Sequence, residues 1–151
     1  NLDLKLSLMA LSRDIHAAEY CLINERSLPL RWMAPETLAT AAAAAGGGAG
    51  GGGAGGGSEL FTYQSDVWSF GIFVAEVFSL GELPYASLPA DSEVLTLLKK
   101  GTLRPQPPYQ CQQMPDLHGL LRRCWSESPA ERPRFTDISI ALGELTMDSD
   151  M

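Results

Sequence analysis

The sequence predicts a mainly α-helical fold with one short β-strand near its amino terminus. Residues 66–78 are apolar at nearly every position and are followed by Gly81, which is the pattern of a helix buried on all sides. Leucines alternate with polar residues over residues 2–8, and this period of two is typical of a half-buried strand. Apolar side chains recur at helical spacing over residues 117–124. Helices therefore dominate the predicted fold.

The other helices are predicted from the residues that begin and end them. Pro35 stands in the first turn of a short helix, where its lack of an N–H removes no hydrogen bond. A helix of about eight residues begins near Asp91 or Ser92 and ends at Gly101. The last two helices are predicted over residues 116–125 and 135–145.

Composition and charge limit the possible function classes. The chain has 151 residues, of which 45% are hydrophobic, so it is long enough to bury a core. Its net charge is −7 and its 11 lysines and arginines are scattered, so we predict no nucleic-acid partner. The 3 cysteines lack metal-ligand spacing and are predicted to be reduced thiols. No window approaches the roughly 20 apolar residues of a membrane span, so any membrane attachment is expected outside these residues.

A low-complexity tract interrupts the chain at residues 39–57, first with alanine and then with glycine. Glycine at this density buries no side chains and has much conformational entropy to lose, so we expect the tract to be disordered. Alanine is the best helix former, so residues 41–45 are predicted to prolong the helix from Pro35 until Gly46. Translated non-coding sequence is the alternative origin of the tract.

Motifs on both sides of the tract resemble the carboxy-terminal lobe of a tyrosine-specific protein kinase. They are W-M-A-P-E at 32–36, S-D-V-W-S-F-G at 65–71, C-W at 124–125 and R-P-x-F at 132–135. The resemblance implies an incomplete kinase-like lobe over residues 1–145, starting at the metal-binding strand, and a tail at 146–151. The glycine-rich loop, strand lysine and H-R-D loop that precede this strand in kinases do not occur here. We therefore interpret the chain as a fragment of a kinase-like domain.

The L-S-R-D-I motif at residues 11–15 places the family's metal-binding Asp-Phe-Gly triplet at Leu8, Met9 and Ala10. In the family, the aspartate of this triplet holds Mg²⁺ against the nucleotide phosphates, and leucine offers a hard cation no oxygen. The resemblance thus implies a degenerate triplet with no catalytic residue and no metal ligand. A sequence error at three consecutive positions is the alternative.

Two loop segments correspond to regulatory and substrate-binding parts of a kinase. Tyr20 lies where the family carries activation-loop tyrosines, so it is a candidate phosphorylation site, and a tyrosine packed on its neighbours is the alternative. Pro29, Arg31 and Trp32 resemble the tyrosine-kinase loop that holds a substrate tyrosine. This loop assigns the branch of the family and not an activity.

Five further residues are given structural roles by the resemblance. In the family, a glutamate equivalent to Glu36 forms a buried ion pair with an arginine that matches Arg132. Asp66 is expected to accept hydrogen bonds from backbone N–H groups at the start of its helix, and in the family this aspartate reaches those of the catalytic loop. Trp68 and Trp125 belong to the motifs of the lobe and are predicted to be structural.

The match narrows to the receptor pseudokinase family of off-track and protein tyrosine kinase seven. The degenerate triplet, the motifs around Tyr20 and Glu36, and the ending A-L-G-E-L-T-M-D-S at residues 141–149 resemble that family. The resemblance implies a single-pass receptor with this domain on the cytoplasmic side of the plasma membrane, acting in Wnt, planar polarity or plexin-linked signalling.

Two functions remain open on the sequence. The first is a catalytically inert docking module for signalling proteins, without a cofactor. The second is an active or weakly active receptor protein tyrosine kinase that uses Mg-ATP through metal ligands outside the degenerate triplet. An intact strand lysine and H-R-D loop in the preceding sequence would favour the second, and their loss would exclude it.

Overall fold

The computed structural model describes residues 21–23, 26–43 and 61–148. The predicted strand at 2–8, the triplet at 8–10, Tyr20 and the glycine part of the tract lie outside these residues. The expectations for them stay predictions.

Two short antiparallel strands come first in the described part, β1 (Cys21–Ile23) and β2 (Arg26–Leu28). Their register pairs Cys21 with Leu28. A single 3-10 turn at Leu30–Trp32 then leads toward the first helix. The sequence did not predict this hairpin, because three-residue strands are too short to show the alternation on which strand prediction depends.

The mainly α-helical prediction is confirmed. The helices are α1 (Pro35–Ala43), α2 (Tyr63–Phe78), α3 (Asp91–Lys99), α4 (Tyr109–Gln112), α5 (Pro115–Cys124) and α6 (Phe135–Asp148). None of the helices in the described ranges is long and apolar enough to span a membrane.

The predicted end of α3 and the predicted start of α1 agree with the structure. Gly101 follows α3 with a φ of +70°, a conformation that glycine adopts without a steric penalty. Helix α1 starts at Pro35 and continues into the alanine run, as far as Ala43. By contrast, the four-residue helix α4 was not predicted, because one turn shows no helical periodicity.

Helix α2 lies at the centre of the core and packs against α5, α4, the 3-10 turn at Leu30–Trp32 and a second 3-10 turn at Pro129–Glu131. Its Trp68 is 0% exposed and Val67 and Ile72 are each 2% exposed. The largest fully buried side chains of the described residues come from all six helices and from the 3-10 turn at Leu30–Trp32, and are Trp68, Leu30, Leu38, Leu98, Leu117, Leu121, Ile138, Val94, Cys111 and Cys124. The predicted apolar face of α5 is thus part of this core.

The prediction that α2 is buried on all sides is wrong for one of its faces. Phe73 is 44% exposed and Val77 is 54% exposed, and they are four residues apart on one side of the helix. The opposite side packs on α5. The ring of Phe70 also contacts the ring of Phe135 in α6 edge to face, with 5.8 Å between the ring centroids. An apolar sequence therefore overstated the burial, because it does not reveal how many neighbours surround the helix.

The start of α2 also differs from the prediction, which assigned the capping role to Asp66. Thr62 is the N-cap: its hydroxyl accepts a hydrogen bond from the Ser65 backbone N–H at 3.2 Å, and the Ser65 hydroxyl accepts from the Thr62 N–H at 2.8 Å. Asp66 lies one residue beyond this capping box and its side chain is exposed. The reciprocal bonds of Thr62 and Ser65 leave the aspartate no cap position to fill.

Close packing at Gly71 gives a testable prediction about the centre of the core. A Cβ atom at this position would lie 2.7 Å from Trp125 Nε1 and 3.0 Å from Cys124 Cβ. We expect Gly71→Ala to lower the free energy of unfolding by about 1–3 kcal/mol, because α2 and α5 must move apart. Urea denaturation followed by tryptophan fluorescence measures the change.

The matched control is Gly119→Ala in α5, where a Cβ atom would meet nothing within 4 Å. This variant should be about 0.5–1 kcal/mol more stable than the original, since alanine favours a helix interior. A Gly71→Ala variant as stable as Gly119→Ala would contradict the close approach of the two helices.

Candidate functional site

The predicted substrate loop is held against the central helix by two hydrogen bonds. The Trp32 indole N–H donates to Glu76 Oε2 at 2.9 Å, and the Ser69 hydroxyl donates to the Trp32 carbonyl at 2.8 Å. Both partners lie on α2, at residues separated from the loop by 37 and 44 positions. The loop is therefore a fixed part of the lobe.

Arg31 is the most extensively bonded side chain of this loop. It is 3% exposed and forms an ion pair with Asp91, from Nε to Oδ1 at 2.8 Å. Its Nη1 donates to the carbonyls of Pro84 and Tyr85 at 2.8 and 3.2 Å, and its Nη2 donates to those of Leu88 and Pro89 at 2.9 and 3.3 Å. One guanidinium group thus organises the connector between α2 and α3.

Arg31 is buried, although its loop resembles the loop that holds a substrate tyrosine in tyrosine kinases. Five acceptors surround its guanidinium group, so the side chain has no free face for a partner molecule. Pro29 and Trp32 are half-buried and are the parts of the loop that a partner could reach. The acceptors of Arg31 lie more than 50 positions away in the sequence, so the loop motif does not reveal them.

Glu36 and Arg132 form the ion pair that the resemblance implied. Arg132 donates from Nη1 to Glu36 Oε1 at 2.6 Å and from Nη2 to Oε2 at 2.9 Å, which is a bidentate geometry. The same guanidinium group also donates to the backbone carbonyls of Ser126 and Gln64. Its Cζ lies 5.1 Å from the ring centroid of Trp68, within the range of a cation–π contact.

The remaining predicted structural residue, Trp125, lies in the core at 4% exposure, beside Gly71. Cys124 precedes it and is fully buried, and burial raises the pKa of its thiol to about 11 even though Arg123 and Arg132 act in the opposite direction. Burial also raises the pKa of the Cys111 thiol. Neutral thiols in the core are poor nucleophiles, so these cysteines serve packing.

Tyr85 is a feature that the sequence analysis missed. Its φ of +58° lies in the left-handed region, which is uncommon for a residue other than glycine. Its hydroxyl is buried and has no hydrogen-bond partner among the described residues. Burial raises its pKa, against the influence of Arg104 and Arg31, so the hydroxyl keeps its proton. No sequence signal marks such a position, since tyrosine carries no preference for this conformation.

The described ranges contain no group of three histidine, cysteine, aspartate or glutamate side chains that could hold a metal ion. The degenerate triplet at Leu8, Met9 and Ala10 and the candidate phosphorylation site Tyr20 lie outside these ranges. The site that the structure describes is thus the Pro29–Trp32 loop with its anchors on α2 and the connector, together with the Glu36–Arg132 pair.

These features define the class of protein. A helical lobe with S-D-V-W-S-F-G on its central helix, and a glutamate in the first turn of α1 paired to an arginine 96 residues later, is the carboxy-terminal part of a kinase domain. The sequence matches the protein tyrosine and serine/threonine kinase family over residues 1–142. The chain belongs to this family, as the resemblance predicted.

The similar curated proteins include both inactive and receptor kinases. The chain is 38% identical over 147 residues to inactive tyrosine-protein kinase 7 of Gallus gallus, and 37% identical to the protein of that name in Homo sapiens. It is 35% identical over 142 residues to vascular endothelial growth factor receptor 2 of Mus musculus. These alignments cover 93–97% of the chain but only 9–12% of each relative. The chain thus spans only a small part of the length of these relatives.

Proposed function

We propose that this chain is part of a catalytically inactive kinase-like domain that docks signalling proteins. The observation that carries the proposal is Leu8 at the position of the metal-binding aspartate, because a leucine cannot coordinate Mg²⁺. The 38% identity to an inactive tyrosine-protein kinase supports it. In this proposal, the domain needs no cofactor and lies on the cytoplasmic side of the plasma membrane, in a single-pass receptor of Wnt, planar polarity or plexin-linked signalling.

The second candidate is a receptor tyrosine kinase that transfers phosphate from ATP to protein tyrosine. The 35% identity to a growth factor receptor favours it, and so do the Pro29–Trp32 loop and the Glu36–Arg132 pair. These two features stabilise the lobe in either case. They therefore weigh less than the chemistry of the triplet, which only an active kinase needs.

Nucleotide binding separates the two candidates. We expect the complete kinase-like domain that contains these residues to show no Mg²⁺-dependent rise in melting temperature with ATP, since Leu8 removes a ligand that joins metal and phosphates. Differential scanning fluorimetry with and without EDTA measures this. The control is a triple variant, Leu8→Asp, Met9→Phe and Ala10→Gly, which restores the triplet. A rise in the unmodified domain that EDTA abolishes would favour the active kinase.

A further inference from the structure

A cavity of about 330 Å³ opens between the carboxy-terminal half of α2, the connector at 82–87 and the segment at 103–108. Its walls include Ile72, Ala75 and Leu103 together with prolines from both loops. This volume is at the lower end of the range of about 300–1,000 Å³ that is typical of ligand sites. None of the sequence motifs described above accounts for this cavity.

The connector wall of this cavity is held in place from behind. Arg31 donates hydrogen bonds to the carbonyls of Pro84 and Tyr85, both of which line the cavity. Tyr85 stays in a left-handed conformation with a buried hydroxyl that has no partner among the described residues. Such conformations persist only where the surroundings enforce them, and they cluster at ligand-binding positions. The cavity is therefore preformed by the fold.

The charges around the cavity favour a cation. Glu76 and Glu82 both line it, and Glu76 offers a second carboxylate oxygen besides the one bonded to Trp32. Arg104 is the one cationic residue of the lining, and its charge is partnered by Glu127 at 3.4 Å. Two carboxylates beside an apolar wall are complementary to a positive group attached to an apolar body.

We propose that this cavity is the docking site for a short segment of a partner protein in which a lysine or arginine is adjacent to a large apolar side chain. The apolar side chain fills the space between the prolines, Ile72 and Leu103, and the cation lies against Glu76 and Glu82. The inference rests on the docking role proposed above, for which it gives a surface and a partner chemistry. It does not depend on whether the domain binds nucleotide.

Two model peptides test the proposal on the full 151-residue chain. The first is acetyl-Gly-Leu-Arg-Leu-Gly-amide, and the second has glutamate in place of its central arginine. Isothermal titration calorimetry in 0.15 M NaCl should give at least tenfold tighter binding of the arginine peptide. Glu82→Gln, at an exposed position, and Glu76→Gln should each reduce the preference for the arginine peptide over the glutamate peptide at least threefold. Glu93→Gln is the matched control, because Glu93 is an exposed acid of α3 outside the lining.

Three results would overturn the proposal. The first is equal binding of the two peptides, and the second is a preference that survives in both cavity variants. The third is equally tight binding of acetyl-Gly-Gly-Arg-Gly-Gly-amide, which would show attraction to the net charge of the chain without use of the apolar wall. A failure here leaves the nucleotide experiment unaffected, so the two proposals fail separately.

Discussion

Glu36→Ala is expected to lower the free energy of unfolding by about 3–5 kcal/mol, because it leaves a buried charge without its partner. The Arg132 side chain is 0% exposed, whereas that of Glu36 is 35% exposed. Removal of the glutamate therefore strands a guanidinium group that water cannot reach. Chemical denaturation of Glu36→Ala beside the unmodified chain measures the loss.

Two further variants define what this pair contributes. Arg132→Lys keeps the positive charge but cannot donate in the bidentate geometry, so it should also be destabilised. Arg134→Ala, at an exposed position two residues later, should change stability by less than about 0.5 kcal/mol. If Glu36→Ala and Arg134→Ala were equally stable, the Glu36–Arg132 pair would make no contribution to the fold.

Arg31→Ala is expected to have an effect of similar size, about 3–5 kcal/mol, because the substitution breaks a buried ion pair and a set of buried hydrogen bonds. It leaves Asp91 and the carbonyls of Pro84, Tyr85 and Leu88 without their donor. The connector should loosen before the rest of the lobe unfolds. Amide hydrogen exchange over residues 84–91 should therefore rise more than exchange in α5.

The control for this prediction is Arg122→Ala, which removes an exposed arginine from α5 and should leave both stability and exchange unchanged. Arg31→Lys distinguishes charge from geometry, since one ammonium group cannot replace a fork that donates to five acceptors. Wild-type exchange rates in the connector of Arg31→Ala would show that the connector holds its own conformation.

Helix positions were largely predictable because they depend on local signals. The end of α3 at Gly101 and the start of α1 at Pro35 follow from the backbone preferences of single residues. The buried face of α5 follows from the spacing of its leucines. The hairpin at residues 21–28 was missed because each strand is only three residues long.

The surroundings of Arg31 and the cap of α2 did not follow from the local motifs. Arg31 stands in a motif that resembles a substrate loop, and four connector carbonyls and the Asp91 carboxylate enclose it. Asp66 was assigned the cap of α2, whereas Thr62 and Ser65 form a capping box one turn earlier. In both cases several arrangements fit the local pattern, and the structure selects one.

The sequence by itself determined the helical class and the kinase family, because residue identity alone carries that information. Only the tertiary structure decided which face of α2 is exposed, which groups Arg31 binds and that Tyr85 lines a cavity. The physical reason is that burial and hydrogen bonding between segments more than 50 positions apart depend on how whole elements pack.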